Sequence, residues 1–444
     1  MKKVNKFGLN LNVIKKISAI KNEPKWMLDI RLKAYNSFKK INAPKWGPNL
    51  SKIDFNKIIY YSSPLNKNEY KKTWNDVPKN IRSIYKKLNI QKNEAKYFAG
   101  LNSQFDSEIV YNNLKNELNK KGVIFTNIET AIQKYPNLVK RYFSTLIPYT
   151  DNKYAALNTA VWSGGSFVYV PKKTKLDQPL QAYFRINKKS LGQFERTLII
   201  VDEGAYLHYN EGCTAPVYDE NNLHASVVEI FVNKKGYCRY STIQNWSDNV
   251  INLVTKRAIT EESAVMEWID GNLGSKLNMK YPCTILKGNN SVSKCISIAL
   301  ASKKNIIHDT GAKMIHIGKN TKSQIISKSI AQNGGNATYR GLVKITRNSL
   351  NSSANVVCDT LILDDKSKSD TFPTEKIMNN SSVIKHEAKI TDLDKQMLFY
   401  LASKGIDTIT AKQIIITGFT KEFNNELPIE YSVELNRLMK LNIR

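Results

Sequence analysis

Between residues 166 and 385 the chain is a succession of short strand-type runs, and no other feature restricts its fold as much. FVYV, LQAYFRI, RTLIIVD, SVVEIFV, CRYSTIQNW, VINLVTKRAI, AVMEWID, CTILKG, SKCISIALA, KMIHIG, QIISKSI, GLVKIT and NVVCDTLIL follow one another, divided by Gly, Asn, Asp or Lys. Runs of this length and β-branched content read as strands, so the block is all-β. A sandwich, a barrel and a β-solenoid all satisfy the pattern, because no strict repeat motif selects among them.

The flanks carry a helical period instead. In EPKWMLDIRLKAYNSF, Met27, Ile30, Ala34 and Phe38 recur at helical spacing, with Pro24 in the first turn. In NDVPKNIRSIYKKL, Asp76 can cap, Pro78 takes an early helical position, and Ile81, Ile84, Tyr85 and Leu88 form an apolar stripe. After residue 386, TDLDKQMLFYLASKG ends at Gly405, and Thr408 or Thr410 starts a second helix. Pro428 opens LPIEYSVELNRLMKL, whose Val433, Leu435, Leu438 and Leu441 would pack on the β block or on a partner. The expected class is α+β, predominantly β, with a mainly helical region at 1–165, a β core at 166–385 and a helical region at 386–444.

The balance of 67 Lys plus Arg against 38 Asp plus Glu leaves a formal charge of +29. Such an excess suits a polyanion partner, but the lysines are scattered from Lys2 to Lys440 and no nucleic-acid motif accompanies them. The apolar runs fall far short of the roughly 18 residues of a membrane-spanning helix. The amino-terminal MKKVNKFGLNLNVIKKISAIKN has neither a continuous apolar h-region nor transit-peptide composition, so no removable leader is expected. GKNTKS at 318–323 is not a phosphate loop, because it lacks the GxxxxGK[ST] spacing.

Five widely spaced cysteines, Cys213, Cys238, Cys283, Cys295 and Cys358, make no CxxC pair. A disulfide framework and a self-contained zinc module are both disfavoured, so a metal site would gather distant residues or borrow ligands from another chain. EGCTAP places Cys213 in a Gly- and Pro-containing turn, where a thiol is expected to be accessible, and nearby His208 would favour its thiolate. In NVVCDTLIL, Val356, Cys358, Thr360 and Ile362 share one strand face. His386, next to Glu387 in KHEA, follows Cys358 by 28 residues, and if successive strands stack, that separation would gather thiolate, imidazole and carboxylate, ligands suited to iron or zinc. A free cysteine also packs as a small apolar residue. Arg185, Asn187, Gln244 and Trp246 are polar-bearing groups on β segments, whose default role is structural hydrogen bonding.

Taken together, YFRIN, GQFERTLIIVDEGA, YNEGCTAP, STIQNW, VTKRA, DTGAKMIHIGKNT, TYRGLVKI, CDTLIL and NNSSVIKHEA resemble the SufB family, scaffold subunits of the SUF iron–sulfur assembly machinery. The likeness runs from KNEPKWMLDIRLKAY to ELPIEYSVEL. It implies a right-handed parallel β-helix flanked by helical regions. It further implies that Cys213 accepts persulfide sulfur from a SufE-type donor fed by a cysteine desulfurase. Arg185, Asn187, Gln244, Trp246 and Lys256 would line an internal sulfur path, and Cys358 with His386 and Glu387 would form the assembly site. The implied cargo is a transient Fe-S cluster of the 4Fe-4S type, built with the ATPase SufC and with SufD and delivered to apo Fe-S proteins. Reduced flavin is implied for the assembled complex.

The Lys/Asn/Ile bias resembles an organelle-encoded plastid form such as that of an apicoplast, with the bacterial cytoplasm as the alternative location. Three departures stand out: Lys385 lies where relatives can carry Glu, the loop after STIQNW is short, and an amino-terminal cysteine cluster of some members is missing. Competing readings are a basic β-solenoid that binds nucleic acid or a membrane, and the related SufD subunit, which would lack the sulfur-accepting role.

Overall fold

The computed structural model describes residues 8–63, 71, 73–87, 94, 97–217, 219–427, 432, 435–437 and 439. Its β block winds into a solenoid of about eight turns. One wall stacks Leu180–Arg185, Tyr206–Thr214, Tyr237–Asn245, Val265–Asn272, Val292–Ala301, Lys322–Ala331, Ser353–Ile362 and Val383–Asp392, all parallel. The opposite wall runs from Ser166–Val170 through Arg196–Val201, Val227–Val232 and Val250–Thr260 to Asn336–Ile345 and Lys368–Ile377. Partners in a wall lie about 30 residues apart, as Trp268 with Cys295 and Cys295 with Ile325.

The dividers between the runs explain why a solenoid forms. Asn290, Asn305, Asn320, Asn333 and Asn351 all take positive φ, a conformation asparagine tolerates better than most residues. Each therefore turns a corner rather than closing a hairpin. Consecutive runs consequently fall on different walls, and a run meets its own wall again one turn later. Inward positions then stack into columns, with Tyr209, Tyr240, Trp268, Cys295, Ile325 and Val356 forming the apolar spine.

The first region mixes helices with strands. Helices Leu11–Ile20, Lys25–Lys40, Lys79–Lys87, Ile128–Lys134, Pro136–Tyr142 and Lys153–Val161 share it with an antiparallel hairpin, Gly100–Phe105 and Glu108–Leu114. The hairpin continues one wall by pairing in parallel with Leu180–Arg185, which covers that edge. GLNSQF is buried at every position, so it carries no polar–apolar alternation for a sequence reading to find. Met27, Ala34 and Phe38 are buried as their spacing predicts, together with Arg31, and Pro24 is the N-cap rather than a first-turn residue. Ile81 is buried. The side chains of Ile84 and Tyr85, and Leu88 altogether, lie outside the described residues.

At the other end the last two strands leave Phe372, Ile377, Val383 and Ile390 exposed. Pro373 sits mid-strand there, tolerable because Lys368–Ile377 is an edge that pairs only with Asn336–Ile345 among the described residues. Helices Lys395–Ser403, Thr408–Phe419 and Lys421–Glu426 follow, with Asp394 and Asp407 as N-caps and Gly405 at positive φ. Ile416, Phe423, Leu427, Leu435 and Met439 pack on the outer face of one wall, over Ile269, Ile296 and Ile326. Glu426 pins this cover by accepting from Arg239 and Lys294. Val433, Leu438 and Leu441 lie outside the described residues.

Candidate functional site

Period-two alternation sends Tyr209, Glu211 and Cys213 of one strand inward. Register then stacks two polar columns. One is Cys213, Gln244 and Asn272; the other is Glu211, Thr242, Asp270, Ser297, Ser327 and Cys358. Ser297 Oγ donates to Ser327 Oγ at 3.1 Å within the second column. At about 4.8 Å per rung, the strands of Cys213 and Cys358 stand about 24 Å apart along the axis. A polar seam thus runs beside the apolar spine.

Cys213 is only 2% exposed, which corrects the expected exposed turn. The strand continues to Thr214, and the turn begins after it. Cys213 Sγ lies 3.9 Å from Glu211 Oε1. Burial, with Glu211 and Glu195 nearby, pushes the thiol well above its ordinary range, although Lys256 and Lys280 oppose the shift. His208 faces the other side of the same strand and meets Ser241 Oγ at 2.9 Å. Burial and the Arg239 charge hold its imidazole down at about 4, so it does not assist Cys213.

Around Cys213 the interior is densely polar. Lys256 Nζ stands 3.8 Å from Glu211 and 3.9 Å from Asp270, over the Tyr240 ring, without a hydrogen-bond partner among the described residues. Lys280 bonds Asp270 at 2.8 Å and donates to Gln244 Oε1 at 3.0 Å. Burial, helped by the Lys256 charge and opposed by Asp270, lowers it to about 8. Gln244 Oε1 also accepts from Asn252 Nδ2 at 2.8 Å, while Gln244 Nε2 and Trp246 Nε1 have no partner among the described residues. The Trp246 ring lies against His224, which bridges Glu195 and Asn252.

Gln244, Trp246 and Lys256 therefore gather inside beside Cys213. Arg185 and Asn187 lie at the strand end instead, where Ile186 N donates to Thr214 O at 3.2 Å. There Asp106 Oδ1 accepts from Asn187 N at 2.7 Å, and burial raises its carboxyl to about 6. Glu211, Asp270, Lys280 and Asp106 escaped the sequence reading. Alternation from Cys213 would have found Glu211, but the other three depend on contacts between distant segments.

At the far end Cys358, 4% exposed, faces His386, with Sγ 3.2 Å from Nε2. Burial, with Asp359 and Glu375 nearby, pushes the thiol up to about 11. The stacking of Ser353–Ile362 on Val383–Asp392 brings the two together. Glu387 is not brought in through its carboxylate. Adjacent strand residues face opposite sides, so Glu387 and Lys385 lie exposed on the outer face, and only the Glu387 carbonyl oxygen nears Cys358 Sγ, at 3.6 Å. The carboxylate beside His386 belongs to Glu375, 2.6 Å from Nδ1. Among the described residues no group of three or more His, Cys, Asp or Glu side chains could hold a metal ion unaided.

Residues 184–419 match the family described as "SUF system FeS cluster assembly, SufBD core domain", and residues 12–182 match the "SufBD protein N-terminal region". The chain is 51% identical over 436 residues to the iron-sulfur cluster assembly protein SufB of Bacillus subtilis strain 168, covering 98% of this chain and 93% of that protein. The same identity and coverage hold for the iron-sulfur cluster assembly SufBD family proteins of Staphylococcus aureus strains USA300 and COL. With both parts of its length matched and half its residues shared, the chain belongs to the SufB/SufBD family of SUF iron–sulfur cluster assembly proteins.

Proposed function

We propose that this chain accepts persulfide sulfur at Cys213 and builds a transient 4Fe-4S cluster at Cys358 and His386. Sulfur comes from a SufE-type donor fed by a cysteine desulfurase, and apo Fe-S proteins receive the cluster. The observation that carries this reading is the stacked column of polar residues that starts at Glu211 on the strand of Cys213 and ends at Cys358 inside the solenoid. Lys256 and Lys280 would balance the charge of a persulfide passing Glu211 and Asp270. Reduced flavin stays an expectation for the assembled complex, with no site assigned on this chain.

Because Cys358 and His386 supply only two donors, the cluster is completed across an interface. The exposed last turn, with Phe372, Val383 and Ile390, supports SufD as the partner there. Helix Lys395–Ser403 buries no residue and exposes Met397, Phe399 and Tyr400, which supports SufC docking. The plastid location rests on the compositional bias alone, and the Bacillus subtilis relative is equally consistent with a bacterial cytoplasm. Imaging the tagged protein against a plastid marker decides between them.

The test is sulfur loading followed by mass spectrometry. Cys213→Ser should lose donor-dependent persulfide while its circular dichroism stays unchanged. Equal occupancy and transfer rate in Cys213→Ser and the unaltered protein would remove Cys213 from the acceptor role.

A further inference from the structure

The imidazole of His386 is held at both nitrogens. Nε2 stands 3.2 Å from Cys358 Sγ, and Nδ1 stands 2.6 Å from Glu375 Oε1. These contacts come from different walls: Cys358 and His386 lie on stacked neighbours, whereas Glu375 lies on Lys368–Ile377, which pairs with Asn336–Ile345. Glu375 therefore reaches across the open end of the solenoid, with 35% of its side chain exposed against 14% for His386. An ionised carboxylate offers only acceptor sites, so a bond to it requires the proton on Nδ1. In the neutral imidazole, the form that ligates a metal, the Nε2 lone pair is then left facing sulfur.

We infer that Glu375 is a positioning residue for the assembly site: its carboxylate keeps the imidazole proton on Nδ1, so that Nε2 and the Cys358 sulfur face each other as a paired nitrogen and sulfur donor. This rests on reading Cys358 and His386 as the place where the cluster forms. Ligating histidines characteristically give their second ring N–H to a carboxylate, which fixes the tautomer and the ring plane. Glu387, next to His386 in sequence, cannot serve, because its side chain lies on the outer face. The assignment also accounts for a glutamate at the mouth of the solenoid whose carboxylate bonds the ring rather than turning wholly to solvent.

The direct test is nitrogen NMR of the full chain labelled at its five histidines, without iron. The unaltered protein should show a protonated Nδ1 and an unprotonated Nε2 for His386. Glu375→Ala should move the proton to Nε2, whereas Glu375→Gln, whose amide oxygen still accepts, should retain the original tautomer. Anaerobic titration with Fe(II) and sulfide then links tautomer to function. Glu375→Ala should need about 10-fold or more extra iron for half-maximal cluster absorbance, the range typical of lost outer-shell partners, and Glu375→Gln should recover most of it.

An unchanged tautomer in Glu375→Ala, or a changed tautomer with unchanged iron dependence, would overturn the inference. If Glu375→Ala is unstable, Glu375→Asp, one methylene short of the ring, gives the same readings with smaller displacements. Should Cys358→Ser also leave the cluster yield untouched, the assembly-site reading fails instead, while the NMR result still reports on Glu375 and His386.

Discussion

Two ammonium groups, Lys256 and Lys280, and two carboxylates, Glu211 and Asp270, are sealed within the solenoid. Lys280 pairs with Asp270 at 2.8 Å, so removing one of the two leaves the other uncompensated. Asp270→Asn should destabilise the protein by about 3–5 kcal/mol, the usual cost of breaking a buried pair from one side, read from urea unfolding. Lys280 adds a pH signature. Its folded value, about 8, lies below the ordinary 10.5 of a lysine, so between these values the unfolded chain binds more protons. Its contribution to stability therefore rises as pH climbs through that window, and Lys280→Met should flatten the rise in urea midpoint between pH 8 and 10. An identical profile in both proteins would mean that Lys280 is already neutral or is solvated.

Sequence made part of this site legible. The separation of Cys358 and His386 fits one turn of stacked strands, and the structure brings their side chains together. Glu375 was not readable, because its contact spans two walls and follows no strand period. Cys213 was misjudged for a different reason: Gly212 and Pro216 signal a turn, but inward alternation carries the strand past the thiol.

At the level of elements, the carboxy-terminal helices divide into a packed part and an unpacked part. Phe423 is fully buried over the outer wall, so Phe423→Ala should cost about 3–5 kcal/mol in thermal or chemical unfolding. Deleting residues 407–444 would uncover Ile269, Ile296 and Ile326, which makes truncation a poor probe of docking. Point changes on Lys395–Ser403 are better. Phe399→Ala with Tyr400→Ala should leave the melting temperature nearly unaltered yet reduce SufC co-purification at least several-fold. Undiminished SufC recovery would place its docking surface elsewhere. The stop at Gly405 and the restart at Thr408 were legible from helix-end chemistry, whereas the capping aspartates Asp394 and Asp407 come from the structure. The hairpin at 100–114 was not, because strands buried on both faces lose the alternation that identifies them.

For the whole molecule, the strand content was plain in sequence, but the architecture was not. Corner asparagines and one-turn register decide between a solenoid and a sandwich, and both depend on pairings about 30 residues apart. The solenoid has unlike ends. A hairpin covers the first, whereas the last exposes two strands, apolar side chains and the Cys358–His386 pair near its mouth.

The central claim, that sulfur received at Cys213 becomes cluster at Cys358 and His386, is tested most directly by anaerobic assembly with iron-57 in the SufC- and SufD-bound complex, read by Mössbauer spectroscopy alongside persulfide mass spectrometry. Cys358→Ser and His386→Ala should keep normal persulfide on Cys213 and form no cluster, while Cys213→Ser should form cluster only when free sulfide replaces the donor. Normal donor-dependent cluster yield from well-folded Cys358→Ser and His386→Ala complexes would contradict the claim and leave Cys358 as a packed core residue.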